Sequence, residues 1–274
     1  MRKFLKISFH TFVYIFAAIG LFLVVGYFAI RFGLTNEKGI IDLQRDSFLG
    51  KNTAIHASDA NVPWKQSEEW QVLATALTRD KDPLTKAATD SGVPARLIAA
   101  NLVAEQLRLF FTEREYYKQF FYPLKILGSQ TQFSWGVMGM KEDTAILVEQ
   151  YLKDPKSPYY PGTEYEHLLD FKTSDPKTER FSRMTDQHNH YWSYLYAGLY
   201  LKEIETQWKS AGFPIDANIA VLCTLYNIGF QHSVPNADPR VGGAEITVGG
   251  GTYSFGGLAA DFYTSGLLSD VFPQ

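Results

Sequence analysis

From Ile7 to Ile30 the chain carries no Lys, Arg, Asp or Glu, and Arg2, Lys3 and Lys6 precede that run. As a helix it would be about 36 Å long, enough to cross a bilayer. It ends in "YFAIRFGL", which holds no small-x-small cleavage site. The pattern predicts a basic cytoplasmic tail over 1–6 and an uncleaved signal anchor over 7–30, with the remainder of the chain exported. Residues 31–64 sustain no period and read as a stalk or lead-in.

From residue 65 to 274 the pattern is mostly helical. "SEEWQVLATALTRD" offers Ser67 as an N-cap, with Glu68 and Glu69 in the first turn. "DPLTKAATDSG" offers Asp82 as a cap, Pro83 after it and Gly92 as the stop. "VPARLIAANLVAEQLRLFF" follows from Pro94, and "KEDTAILVEQYLKD" is a helix stopped by Pro155. "SPYYPGTEYEHLLDF" reads as a loop and a short helix, and one long helical segment is expected from about Thr178 to Ser210. "DANIAVLCTLYNIG" is a buried-type helix capped by Asp216. The glycine-rich "VGGAEITVGGGTYSFGG" is a hairpin or a loop, and "LAADFYTSGLL" closes the body. No repeat and no alternation of strands with helices is visible, so a mainly α domain is expected.

Composition supports a thick core: 46% of the 274 residues are apolar and 20% charged. The net charge of −3, without basic blocks beyond the N-terminus, gives no electrostatic case for nucleic acid. The single cysteine, Cys223, excludes an intrachain disulfide and a cysteine metal cage, and reads as a small buried hydrophobe. His188 and His190 stand two apart and do not share a helix face. No metal or other cofactor is implied.

One position has chemical interest. Ile98, Leu102, Glu105 and Leu109 fall at helical spacings, which sets Glu105 on an apolar stripe. Apolar burial raises a carboxyl pKa and suits a general acid. The same spacing also allows an exposed Glu105, or an ordinary helix ion pair with Arg108 three residues on.

"AATDSGVPARLIAANLVAEQ" resembles the opening of the lysozyme-like domain of lytic transglycosylases, where a helix ends in the catalytic glutamate. "SQTQFSWGVMGMKEDTA" is similar to that family's second motif through Gly136, Val137, Met138, Met140, Thr144 and Ala145. "LYNIG" over 225–229 is similar to its third. The resemblance covers roughly residues 80–235 and implies a lysozyme-like, goose-type/SLT helical fold. Gln106 replaces the family's Ser after the glutamate, and Gly139 replaces its motif glutamine. Lys141 or Glu142 replaces its proline, and the stretch between Glu105 and Gly136 is longer than the family's.

The resemblance implies a peptidoglycan lytic transglycosylase that cleaves the β-1,4 bond between N-acetylmuramic acid and N-acetylglucosamine. Glu105 would be the single acid and base, and the product would carry a 1,6-anhydro ring. Tyr226, Asn227, Gly136, Met138, Gln106 and Ser134 would contact or frame the substrate, although Tyr226 also fits a core tyrosine. Trp135 could stack on a sugar or simply pack. Glu113, Glu115, Glu142 and Asp143 are candidates for a second acid, each fitting a solvated face. The expected partners are glycan strands, the membrane through the anchor, and a cell-envelope complex. The expected location is the inner membrane, single-pass, with the body in the periplasm or outside. A muramidase-type hydrolase and a non-catalytic wall-binding scaffold are the rival readings.

Overall fold

Ser67 opens the first long helix because its hydroxyl accepts from the Trp70 amide at 3.2 Å. That bond satisfies one of the N–H groups every helix start leaves unpaired. The helix, α1, spans Glu68–Arg79. The structure is a computed structural model that describes residues 63–111 and 134–274, together with Tyr14, Gly20, Leu21, Phe48 and Leu49. The chain divides into two units, Met1–Lys38 with Glu113–Gln130, and Gly39–Thr112 with Thr131–Gln274. The helical body belongs to the second.

Helix α2 (Lys81–Ser91) closes on Gly92, whose φ of 66° supplies the left-handed terminal turn. It begins before the expected Asp82 cap. Asp80 stands at the cap position but makes no side-chain bond to the helix. Its carboxylate is engaged elsewhere, 2.5 Å from His190 Nδ1 and accepting from the Tyr194 hydroxyl at 2.6 Å. Helix α3 (Ala95–Phe111) follows Pro94. A two-stranded pair, β1 (Ser134–Trp135) and β2 (Met140–Lys141), then leads into α4 (Glu142–Tyr151).

The short helix expected near 164 is only a 3-10 turn, Thr163–Tyr165. The single long helix expected from about 178 is two helices, α5 (Pro176–Met184) and α6 (Tyr191–Ser210). Between them the Asp186 carboxylate accepts from the amides of His188 and Asn189, at 2.8 and 3.1 Å. Such local side-chain bonds offer the backbone an alternative to the helix. Helix α7 (Ile219–Ile228) is capped by Asn218, not Asp216, through the Val221 amide. The glycine-rich stretch forms an antiparallel hairpin, β3 (Glu245–Val248) and β4 (Gly251–Ser254). Gly249 and Gly250 make its two-residue turn with φ of 56° and 72°, the geometry that suits the twist of paired strands. Helix α8 (Phe255–Thr264) follows, its first turn capped by Ser254.

Helix α3 runs through the middle of this body, packed by α1, α2, β3 and α8. Arg96, near its start, is fully buried, and its guanidinium donates to five carbonyls. These are Phe262 at 3.0 Å, Tyr263 at 2.7 Å, Leu267 at 3.1 Å, Phe272 at 2.9 Å, and Ser265. One side chain thereby gathers carbonyls from the last turn of α8 and from the segment after it and ties them to α3. Within the segment read as a lead-in, Phe48 and Trp64 are buried in the core. Trp64 Nε1 donates to Asp261 at 2.9 Å.

The membrane anchor is corrected. Among the described residues no helix is long and apolar enough to cross a membrane. The longest of them, α6, carries Lys202, Glu203, Glu205 and Lys209, charges that are costly in hydrocarbon. The expected tail over 1–6 and anchor over 7–30 lie outside the described residues, apart from Tyr14, Gly20 and Leu21. The fold class therefore stands as mainly helical, with no transmembrane helix among the described residues. The membrane as a partner, the single-pass inner-membrane location and the membrane-anchored form of the enzyme are withdrawn with it.

Candidate active site

Glu105 sits in the second half of α3 and is 3% exposed. Its surroundings are not purely apolar. Arg108, one turn on, donates from Nη2 to Oε1 at 2.5 Å and from Nε to Oε2 at 3.1 Å, a two-pronged ion pair. Of the alternatives that the helical spacing left open, the ion pair with Arg108 is the one formed. An i, i+3 partner is within reach, and a guanidinium fork fits both carboxylate oxygens.

The turn between β1 and β2 comes up against this carboxylate. Gly139 has a φ of 62°, and a Cβ added to it would lie 2.0 Å from Glu105 Oε1. Glu105 thus fills the space that a side chain at 139 would need. Gly136 is constrained in the same turn, where a Cβ would meet Ser193 Oγ at 2.4 Å and the Met184 carbonyl at 2.7 Å. Its φ of 71° excludes most other residues without strain.

The other sequence-derived residues divide between holding the turn and holding its surroundings. Gln106 is buried and donates from Nε2 to the Val137 carbonyl, a strut from α3 to the turn. Met138 is buried, and its carbonyl accepts from the Tyr226 hydroxyl at 3.0 Å. Burial holds the Tyr226 phenol protonated well above its ordinary range; the nearby Glu105 charge adds to this and Arg108 opposes it. The Tyr226 ring packs on Tyr200 and Phe255. Asn227 accepts from the Ala244 amide at 2.7 Å and so pins the approach to the hairpin to α7. Ser134 enters through its strand pairing with Lys141.

Trp135 is buried edge-on against Phe181, at 5.2 Å between ring centroids. Of the candidates for a second acid, Glu142 departs from the solvated face expected for it. It is 3% exposed, with Oε1 3.7 Å from Arg180 Nη1. Asp143 is exposed, and Glu113 and Glu115 lie outside the described residues. Among the described residues no group of three or more His, Cys, Asp or Glu could hold a metal ion.

Two features of this site had no sequence signal of their own. Nothing in the sequence sets Gly139 against Glu105, which the fold brings together. The strut from Gln106 joins a helix to a turn that no period connects. No family model, no curated protein and no solved structure matches the chain.

Proposed function

We propose that the helical body is a peptidoglycan lytic transglycosylase, a glycosidic-bond lyase in which Glu105 is the single acid and base. No membrane attachment is part of this reading. It is supported by the convergence of three sequence segments on one carboxylate. Gly139 abuts Glu105, Tyr226 bonds the Met138 carbonyl beside it, and Gln106 braces Val137 in the same turn.

The chemistry needs one carboxyl group and no second acid. Protonated Glu105 gives its proton to the bridging oxygen as the bond from that oxygen to C1 of the muramic residue breaks. The resulting carboxylate then takes the proton of the same sugar's 6-hydroxyl while O6 bonds to C1. The anhydro ring closes and Glu105 is protonated again. No water is consumed, which separates this reaction from the two-carboxylate hydrolases. Tyr226, held as a neutral phenol, is a hydrogen-bonding group beside the acid and not a base.

Digestion of isolated peptidoglycan by the full chain, beside Glu105→Gln, tests the reading. Mass spectrometry of the released fragments is expected to show anhydro ends from the parent and none from the variant. Ordinary reducing ends would indicate hydrolysis and overturn the lyase. Equal release by both proteins would place the acid elsewhere. Binding without release would mark a scaffold.

A further inference from the structure

The Glu105–Arg108 pair is lopsided. Its carboxylate side chain is 4% exposed and its guanidinium side chain 20%, so the arginine is the partner that solvent reaches. The fork is complete, with two donors on two oxygens. While it holds, Arg108 takes one lone pair on each oxygen and sets its charge against the place of the catalytic proton. A group that takes up the guanidinium removes that competition. Tyr226 is no substitute, because its single neutral oxygen, turned to the Met138 carbonyl, cannot match a two-pronged guanidinium fork. Gly139, the other group against the carboxylate, offers no side chain.

We infer that Arg108 is a receptor for a free carboxylate on the glycan substrate, and that this carboxylate replaces Glu105 on the guanidinium fork. The inference rests on the reading of Glu105 as the reacting acid and adds to it a substrate class, glycans whose substituents bear free carboxylates.

Three physical arguments carry it. A planar guanidinium recognises carboxylates through two parallel bonds, and an ammonium or an amide does not reproduce that geometry. The exchange conserves charge, because one carboxylate replaces another and the arginine is never left unpaired. The displaced Glu105, buried and without its partner, takes up a proton from solvent, since an isolated buried charge is too costly to keep. Binding the correct substrate therefore arms the acid. A neutral glycan lacks the group that opens the pair and leaves Glu105 engaged. Arg108 is a substrate-binding residue in this scheme, and its exchange of partners releases Glu105.

The test is equilibrium binding to the full chain of soluble disaccharide-peptide fragments of peptidoglycan. One set has its peptide carboxylates free, and a matched set has them converted to primary amides. The parent protein is expected to bind the free set about tenfold more tightly or better, the range of a charged hydrogen-bond pair. In Arg108→Gln the preference is expected to fall to about one, with the affinity for the amidated set unchanged within about twofold. The double variant Glu105→Gln/Arg108→Gln, which leaves no unpaired charge, is expected to show the same loss. It serves where the single variant folds poorly. Equal binding of both sets by the parent, or a preference that survives removal of Arg108, overturns the inference. A preference that depends on Arg108, in a protein that releases no product, keeps the receptor and removes the lyase. Anhydro product without any preference does the reverse.

Discussion

Gly139 and Glu105 occupy one space: a single added methyl group at 139 would lie 2.0 Å from the carboxylate oxygen. The left-handed backbone at Gly139 adds a second constraint, because a side chain there costs about 1–3 kcal/mol in strain alone. Gly139→Ala is therefore expected to lower stability by at least that much and to push Glu105 off the Arg108 fork. Denaturant unfolding reads the first effect and peptidoglycan digestion the second. Unchanged stability and activity would mean that the turn does not press on the acid.

Arg96 closes the end of α8 with five donated hydrogen bonds from a fully buried guanidinium. Arg96→Met is expected to cost about 3 kcal/mol or more, because buried carbonyls lose a charged donor. Arg96→Lys is expected to recover little, since a compact ammonium cannot span the same fork. Chemical denaturation checks both. A Lys variant as stable as the parent would show that charge alone suffices.

Glu203 lies buried in α6 with neither carboxyl oxygen bonded. Burial raises its carboxyl well above the ordinary value of 4.5. The folded state therefore keeps a proton that the unfolded chain releases, and stability falls as pH rises from the unfolded value toward the folded one. Glu203→Leu is expected to be more stable than the parent at neutral pH, by a margin that shrinks toward pH 4. Unfolding midpoints across that range provide the check. A constant margin would point to packing instead of ionisation.

Glu179 behaves in the opposite sense. Desolvation pushes its carboxyl up, but amides of Lys172 and Thr173, the Thr173 hydroxyl and the Arg183 charge prevail and bring it down from 4.5 to about 2. The stability it contributes is present above pH 4.5 and is lost as pH falls through about 2. Glu179→Gln is expected to be less stable than the parent at pH 6 and to converge with it near pH 2. Parallel acid titrations of the two proteins would contradict the account if their gap stayed constant.

Cys223 is fully buried in α7, and burial pushes its thiol up to about 12. A thiol that stays protonated is a poor nucleophile. Native protein is expected to resist thiol reagents, reacting only as fast as it unfolds, while denatured protein exposes one reactive thiol. Rapid labelling of folded protein would show that α7 opens locally.

The legible part of this protein lies in signals spanning a few residues. Ser67 as a cap, Gly92 as a stop and the buried run of α7 all act within a turn of themselves, so composition and spacing suffice to find them, whereas the glycine-rich stretch left hairpin and loop both open. Local chemistry also misleads where a distant group competes for the same atom. The expected cap Asp82 falls inside α2, while Asp80, which stands at the cap position, bonds His190 and Tyr194 instead. The site shows the limit most clearly. Periodicity placed Glu105 on an apolar line and left open whether Arg108 held it, because spacing fixes where two Cβ atoms lie and not how two flexible side chains turn. The fork, the glycine pressed against the carboxylate, and the bond from Tyr226 to a carbonyl 88 residues away exist only once α3, the β1–β2 turn and α7 are packed together. Burial then removes the water that would otherwise satisfy these groups, so the Glu105 carboxylate and the Tyr226 hydroxyl take their partners from the fold.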